Sequence, residues 1–148
     1  MKTHNNTDEA QIRTLLDDLA SAIRAKDADR ALSYYAAENV QFLLAPPLQY
    51  AGANAMDKQG LEAWFATFEG TIGYEVRGLS ITTRDEIAFS HSLSRISGTK
   101  IDGEKPDVWV RSTVCFCKVD GQWKITHQHE SVPFYMDGSY KAAIDLKP

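Results

Sequence analysis

Cysteine is nearly absent from the 148-residue chain: Cys115 and Cys117 are the only two. They sit two apart in a β-rich run, so both side chains point from one face, and a mutual disulfide there would strain the backbone. Free thiols in a reducing compartment are the expectation, and nothing nearby in the sequence marks either as a reactive thiolate. Basic charge is also in deficit, with 16 Lys and Arg against 20 Asp and Glu. The scattered cations form no stripe that could displace counterions from a phosphate backbone, which argues against a nucleic-acid partner. No apolar run approaches the 18 residues a membrane helix needs, and "MKTHNNTDEAQ" lacks the apolar stretch of a signal peptide; a cytoplasmic protein without membrane contact is expected. There is no GxGxxG, no phosphate loop and no GxSxG, so neither a nucleotide cofactor nor a nucleophile elbow is indicated. No internal repeat, low-complexity tract or linker divides the chain, and one domain over 1–148, with 135–148 as a surface tail, is expected.

What is present is a hydrophobic content of 43% arranged with two periods. Ile12, Leu15, Leu16, Leu19 and Ile23 form a helical stripe over about 7–25, and "KDADRALSYYAAEN" reads as a second helix capped by Asp27. "VQFLLA" reads as a short strand ended by Pro46 and Pro47, and Leu61, Trp64, Phe65 and Phe68 mark a third helix over 61–69. Four β-rich runs follow, "YEVRGLSITT", "EIAFSHSLSRISG", "DVWVRSTVCFCKV" and "QWKITHQHESV". Helices followed by strands imply an α+β fold, with helices on one face of a mostly antiparallel sheet. The run from Val108 to Val119 is largely uncharged on both faces, so it should be covered twice, and a second copy of the chain is the economical cover.

Within the last strand Trp123, Ile125, His127, His129 and Ser131 alternate. A two-residue Asp120-Gly121 turn would set Val114 opposite His127; a three-residue turn with a bulge would set Thr113 opposite His127 and Arg111 opposite His129. The second register is favoured because it gathers Trp109, Arg111, Thr113, His127, His129 and Ser131 on one face, where polar groups can satisfy each other. That face, under the helices, would carry Phe42, Trp64 and Tyr50 in its walls. It would form a small-molecule pocket, with Arg111 seeking an anion, either a ligand's or an internal carboxylate such as Glu130, Glu75 or Asp57. His127 or His129 would serve as general base. A metal is not expected, since the His pair lacks further ligands and Arg111 would repel a cation.

The W-x-R-x-T of Trp109, Arg111 and Thr113, coupled to the W-x-I-x-H-x-H-x-S of Trp123 to Ser131, resembles the nuclear transport factor 2-like superfamily. Within it the likeness is to the SnoaL-like group of ketosteroid isomerase homologues. The ending is also similar to the association domain of calcium/calmodulin-dependent protein kinase II. The resemblance runs from the first helix through Phe134. It implies a curved sheet wrapped as a cone around about three N-terminal helices, a cavity inside the cone and a dimeric assembly. It does not imply steroid isomerisation. The aspartate base of those enzymes would lie in "VQFLLA", the tyrosine in helix one and the protonated second acid near Val110 or Arg111, and this chain has none of the three there. The functional expectation is therefore a small-molecule-binding protein, an isomerase- or hydrolase-like enzyme for a small organic anion or carbonyl compound. The alternative is a noncatalytic binding or oligomerisation module.

Overall fold

In the computed structural model of the chain, residues 2–148 are described. The first helix, α1 (Lys2–Arg24), begins before the expected Thr7 and presents Ile12, Leu15, Leu19, Ala20 and Ala22 inward. It stops at Lys26, which takes a left-handed φ of 58° while the Asp27 and Lys26 amides bond the carbonyls of Ala22 (2.9 Å) and Ile23 (3.0 Å). Those two bonds close the helix as a Schellman motif and free Asp27 to cap the next one. α2 (Ala28–Leu32) is a single short turn, with the Asp27 carboxylate accepting from the Arg30 amide at 3.1 Å.

The second helix does not run on through "SYYAAEN"; Tyr35–Phe42 is the strand β1, and Leu43 to Ala45 lie beyond it. Sheet pairing overrides the local helix preference of Ala36, Ala37 and Glu38, because β1 can join the last strand, with the Ile125 amide bonding the Tyr34 carbonyl at 2.9 Å. Likewise α3 (Lys58–Phe65) starts at its Asp57 cap, earlier than expected, and Phe68 already belongs to a strand.

β2 (Phe68–Arg84), β3 (Ile87–Lys100), β4 (Asp107–Val119) and β5 (Gln122–Ser131) complete one sheet in the order β1-β5-β4-β3-β2. Only the β1–β5 pair is parallel. Irregularities in β2, where Gly70 (φ 69°) and Gly78 (φ 68°) adopt conformations costly for other residues, and a bulge in β5 bend the sheet over the helices. This is the expected α+β fold, a curved and mostly antiparallel sheet with its helices packed on one side. The apolar core lies at one end of the inner face, where Phe116, Ile125, Trp123, Val114 and Ala88 meet Ile12, Leu15 and Leu19. Asp8 anchors α1 there by accepting from Lys118 Nζ (3.0 Å) and Trp123 Nε1 (3.2 Å).

Candidate functional site

The β4–β5 hairpin decides which side chains reach the concave side. Asp120 (φ 50°) and Gly121 (φ 79°) are both left-handed, as a two-residue turn of the I′ type requires, and Val119 pairs with Gln122. That register holds down to Phe116–Ile125. The next pair is Cys115–His127, so Thr126 is an extra residue, a bulge whose hydroxyl donates to the Cys115 carbonyl at 3.3 Å. Beyond it Thr113 lies opposite His129 and Arg111 opposite Ser131. The favoured three-residue turn is thus not formed, and the register of the two-residue turn holds only as far as Ile125; His127 meets neither Thr113 nor Val114, because the slip occurs inside the strand rather than at the turn.

One extra residue reverses every later side chain. Trp123 and Ile125 face the helices as expected, but past Thr126 it is Gln128 and Glu130 that face inward. His127, His129 and Ser131 pass to the outer face, away from the helices. Trp109, Arg111 and Thr113 lie on that same outer face, so the structure gathers the expected set together, on the side opposite the one expected. Arg111 is exposed and donates from Nε to Ser131 Oγ at 3.1 Å. Trp109 lies under the Arg77 guanidinium, 4.7 Å from the ring centre. Phe42 is edge-on to the rings of His127 (4.8 Å) and His129 (5.3 Å), and His127 Nδ1 is 2.7 Å from the Val40 carbonyl, so that nitrogen carries the proton and donates. None of the internal carboxylates considered serves Arg111. Glu130 is across the sheet, Glu75 pairs with Arg77 (3.3 Å), and Asp57 caps α3 by accepting from the Gly60 amide at 2.8 Å. Burial pushes the Cys115 thiol above its ordinary pKa, with the Cys117 charge adding to the effect, so it is a poor nucleophile.

The concave side holds a cavity of about 450 Å³ between the helices and the sheet. Of the residues expected to line it, Trp64 and Tyr50 do; the remainder of its polar lining is Tyr35, Gln41, Tyr74, Lys100, Gln128 and Glu130. Leu19, Ile23, Leu61, Phe68, Ile96 and Val108 contribute apolar wall. Three polar groups are linked in series. Tyr35 donates its phenol proton to Gln128 Oε1 at 2.5 Å, which turns the amide so that Nε2 donates to Glu130 Oε1, also at 2.5 Å. Burial raises the Glu130 carboxyl from its usual 4.5 to about 7, against a partial pull downward from the Gln128 hydrogen bond. Burial, and then the charge of Glu130, drive the phenols of Tyr35 and Tyr74 far above their ordinary range, so both remain proton donors at neutral pH. The Ser94 hydroxyl beside Tyr74 offsets part of that shift. An acid that is half ionised near neutrality and faces an apolar cavity can take up and return a proton, and the Tyr74 phenol, unlike Tyr35 whose proton is held by Gln128, can polarise a carbonyl or hydroxyl oxygen. The steroid-isomerase positions are empty of acid and phenol, yet β5, β1 and β2 bring one carboxyl and two phenols to the same cavity.

These residues escape sequence reading because the "HQHE" alternation is symmetrical: both faces of β5 are polar after Thr126, and only the bulge says which pair turns inward. The available signal was chemical, since burying Gln128 and Glu130 lets them bond each other, whereas the imidazoles do not. Arg111→Ala is accordingly expected to leave cavity binding unchanged within about twofold and to cost at most about 1 kcal/mol of stability, as for other exposed polar pairs. Calorimetric binding and urea melts of the variant check this; loss of cavity binding would return the site to the outer face.

Comparison with known proteins agrees with this geometry. No protein of curated function matches the chain. Among solved structures it is similar to a nuclear transport factor 2-like protein of unknown function from Pseudomonas putida, at 28% identity and a TM-score of 0.85, covering 97% of this chain and 98% of that one. A proposed dehydratase of the same family from Streptomyces avermitilis shares 15% identity at a TM-score of 0.74, over 86% of this chain and 97% of its own. The association domain of the Caenorhabditis elegans calcium/calmodulin-dependent protein kinase II shares 13% at 0.65, over 86% and 98%. At such identities the last two speak for the fold alone. The SnoaL-like domain family matches residues 12–135, which run from the middle of α1 through β5 and include every cavity residue named above, and the chain belongs to that family within the nuclear transport factor 2-like fold.

Proposed function

We propose that the cavity binds a small, largely apolar carbonyl or hydroxy compound and that Glu130 moves a proton on it, with the Tyr74 phenol as hydrogen-bond donor and Tyr35, whose proton goes to Gln128, holding the series in place. The observation that carries this reading is the Tyr35–Gln128–Glu130 series ending on a carboxyl poised near pH 7 in the cavity wall. The base is thus Glu130 in place of His127 or His129, whose imidazoles lie on the other side of the sheet. A volume of about 450 Å³ with apolar walls suits a compound of one to three rings. Proton abstraction next to a carbonyl is the step common to isomerases and dehydratases, and it needs only a positioned base and donors for the developing oxyanion. The test is deuterium uptake from heavy water into a panel of cyclic ketones. Exchange catalysed by the protein and lost in Glu130→Gln supports the reading; exchange equal in both would refute it.

We also propose that a second copy covers the outer face of the sheet. Phe89 is 46% exposed there among half-buried Leu93, Trp109, Cys115 and Cys117, an apolar surface unusual on a solvated sheet. The similar kinase segment is itself named an association domain, which supports self-assembly. Phe89→Asp should convert the dimer to a monomer in sedimentation runs; an unchanged mass for the variant would place the contact elsewhere. The two free thiols favour a reducing, cytoplasmic compartment.

A further inference from the structure

Glu130 occupies one end of the cavity's inner face, and Lys100 the other. Glu130 pairs across the sheet with Ser112 and, through it, Ser92; Lys100 lies eight residues further along β3. That is about 25 Å on a straight strand and less on a curved one. Near Glu130 the wall passes into the closed apolar core. Near Lys100 it meets the exposed turn 101–105, so this end faces solvent.

Lys100 lines the cavity, half-buried, with its ammonium 4.1 Å over the Phe68 ring and donating to Thr67 Oγ1 at 2.8 Å. Phe68 is itself a cavity wall. No carboxylate of the described residues lies within ion-pairing distance of this ammonium, while Lys58 and Lys118 both have one. A cation held in place by a ring and a hydroxyl, with two N–H groups left over, is an anion receptor that the fold does not fill.

We infer that the ligand is an amphipathic acid: an apolar body spanning the cavity, its reacting carbonyl or hydroxyl against Glu130 and a carboxylate held by Lys100 near the solvent end. This rests on the cavity being the ligand site. It also gives the ligand a direction, because an ionised Glu130 repels a carboxylate from the inner end and Lys100 attracts it to the outer one. A ligand bound this way presents its neutral, reactive end to the acid and leaves its charge where water can still reach it.

The experiment compares 6-phenylhexanoate with its neutral isostere 6-phenylhexanamide by calorimetry at pH 7.5, on the full chain and on Lys100→Met, which keeps the aliphatic stem over Phe68. The acid should bind the parent protein about tenfold more tightly than the amide, the size of one partly buried charge-assisted contact. In Lys100→Met that advantage should vanish while amide affinity stays within about twofold, which a merely structural lysine would not produce. Equal affinities for acid and amide in the parent protein, or an advantage that survives in Lys100→Met, would overturn the inference and leave the cavity as a ligand site. Saturable binding of neither compound would remove both. An amide affinity that collapses in Lys100→Met would show the lysine to be a support for Phe68 and Thr67, and overturns it as well.

Discussion

Glu130→Gln is expected to make the protein more stable above neutral pH and to abolish its proton transfer. Free in an unfolded chain this carboxyl titrates near 4.5; in the cavity it titrates near 7. Between those values the folded protein holds a proton that the unfolded chain has released. Stability therefore falls as pH rises from about 4.5 to 7 and levels off above. The penalty at pH 8 is about 3–4 kcal/mol, one pKa unit being about 1.4 kcal/mol. Glutamine is neutral at every pH and can still accept from Gln128 Nε2, so the variant should escape that penalty, with a melting temperature about 5–10 °C higher at pH 8 and little changed at pH 4.5. Deuterium exchange into a cyclic ketone should drop at least 100-fold in the same variant, the usual worth of a positioned base. Scanning calorimetry at the two pH values separates the outcomes. A variant equally stable at both, relative to the parent, would mean that Glu130 ionises as easily in the cavity as in water.

Phe116→Ala is expected to cost about 3–5 kcal/mol, because the ring is wholly enclosed and its removal leaves a void that the sheet cannot collapse around. Phe116 belongs to the cluster in which Ile12, Leu15 and Leu19 of α1 meet Ile125 and Trp123 of β5, so the loss falls on the contact that holds the helix to the sheet. Urea melts should show a lower midpoint with the slope preserved, and thermal midpoints should fall by about 10–15 °C. The Phe116–Ile125 pair is also the last before the bulge. A loss under 1 kcal/mol would show that the core does not organise this end of the hairpin.

Much of the architecture was legible in the residues. The stripe of Ile12, Leu15, Leu19 and Ile23 identifies α1 because helical period is a local property, and the four β-rich runs are bounded by turn residues whose φ angles few others accept. The errors arose where a distant partner outweighs a local preference. Tyr35 to Asn39 are strand because β5 offers them a parallel edge, a fact absent from those five residues. Even the membership of Trp109, Arg111, Thr113, His127, His129 and Ser131 on one face was readable; which side of the sheet they occupy was not.

By itself the sequence determined the α+β class, the order of elements and the chemical inventory of β5, since each depends on neighbours a few positions away. Only the tertiary structure decided that Glu130 and Gln128, rather than the two imidazoles, enter the cavity. The physical reason is the extra residue at Thr126. Its insertion is set by the pairing of β5 with β4 on one side and with β1 on the other, where His127 Nδ1 meets the Val40 carbonyl, and a period-two strand transmits that single step to every side chain beyond it.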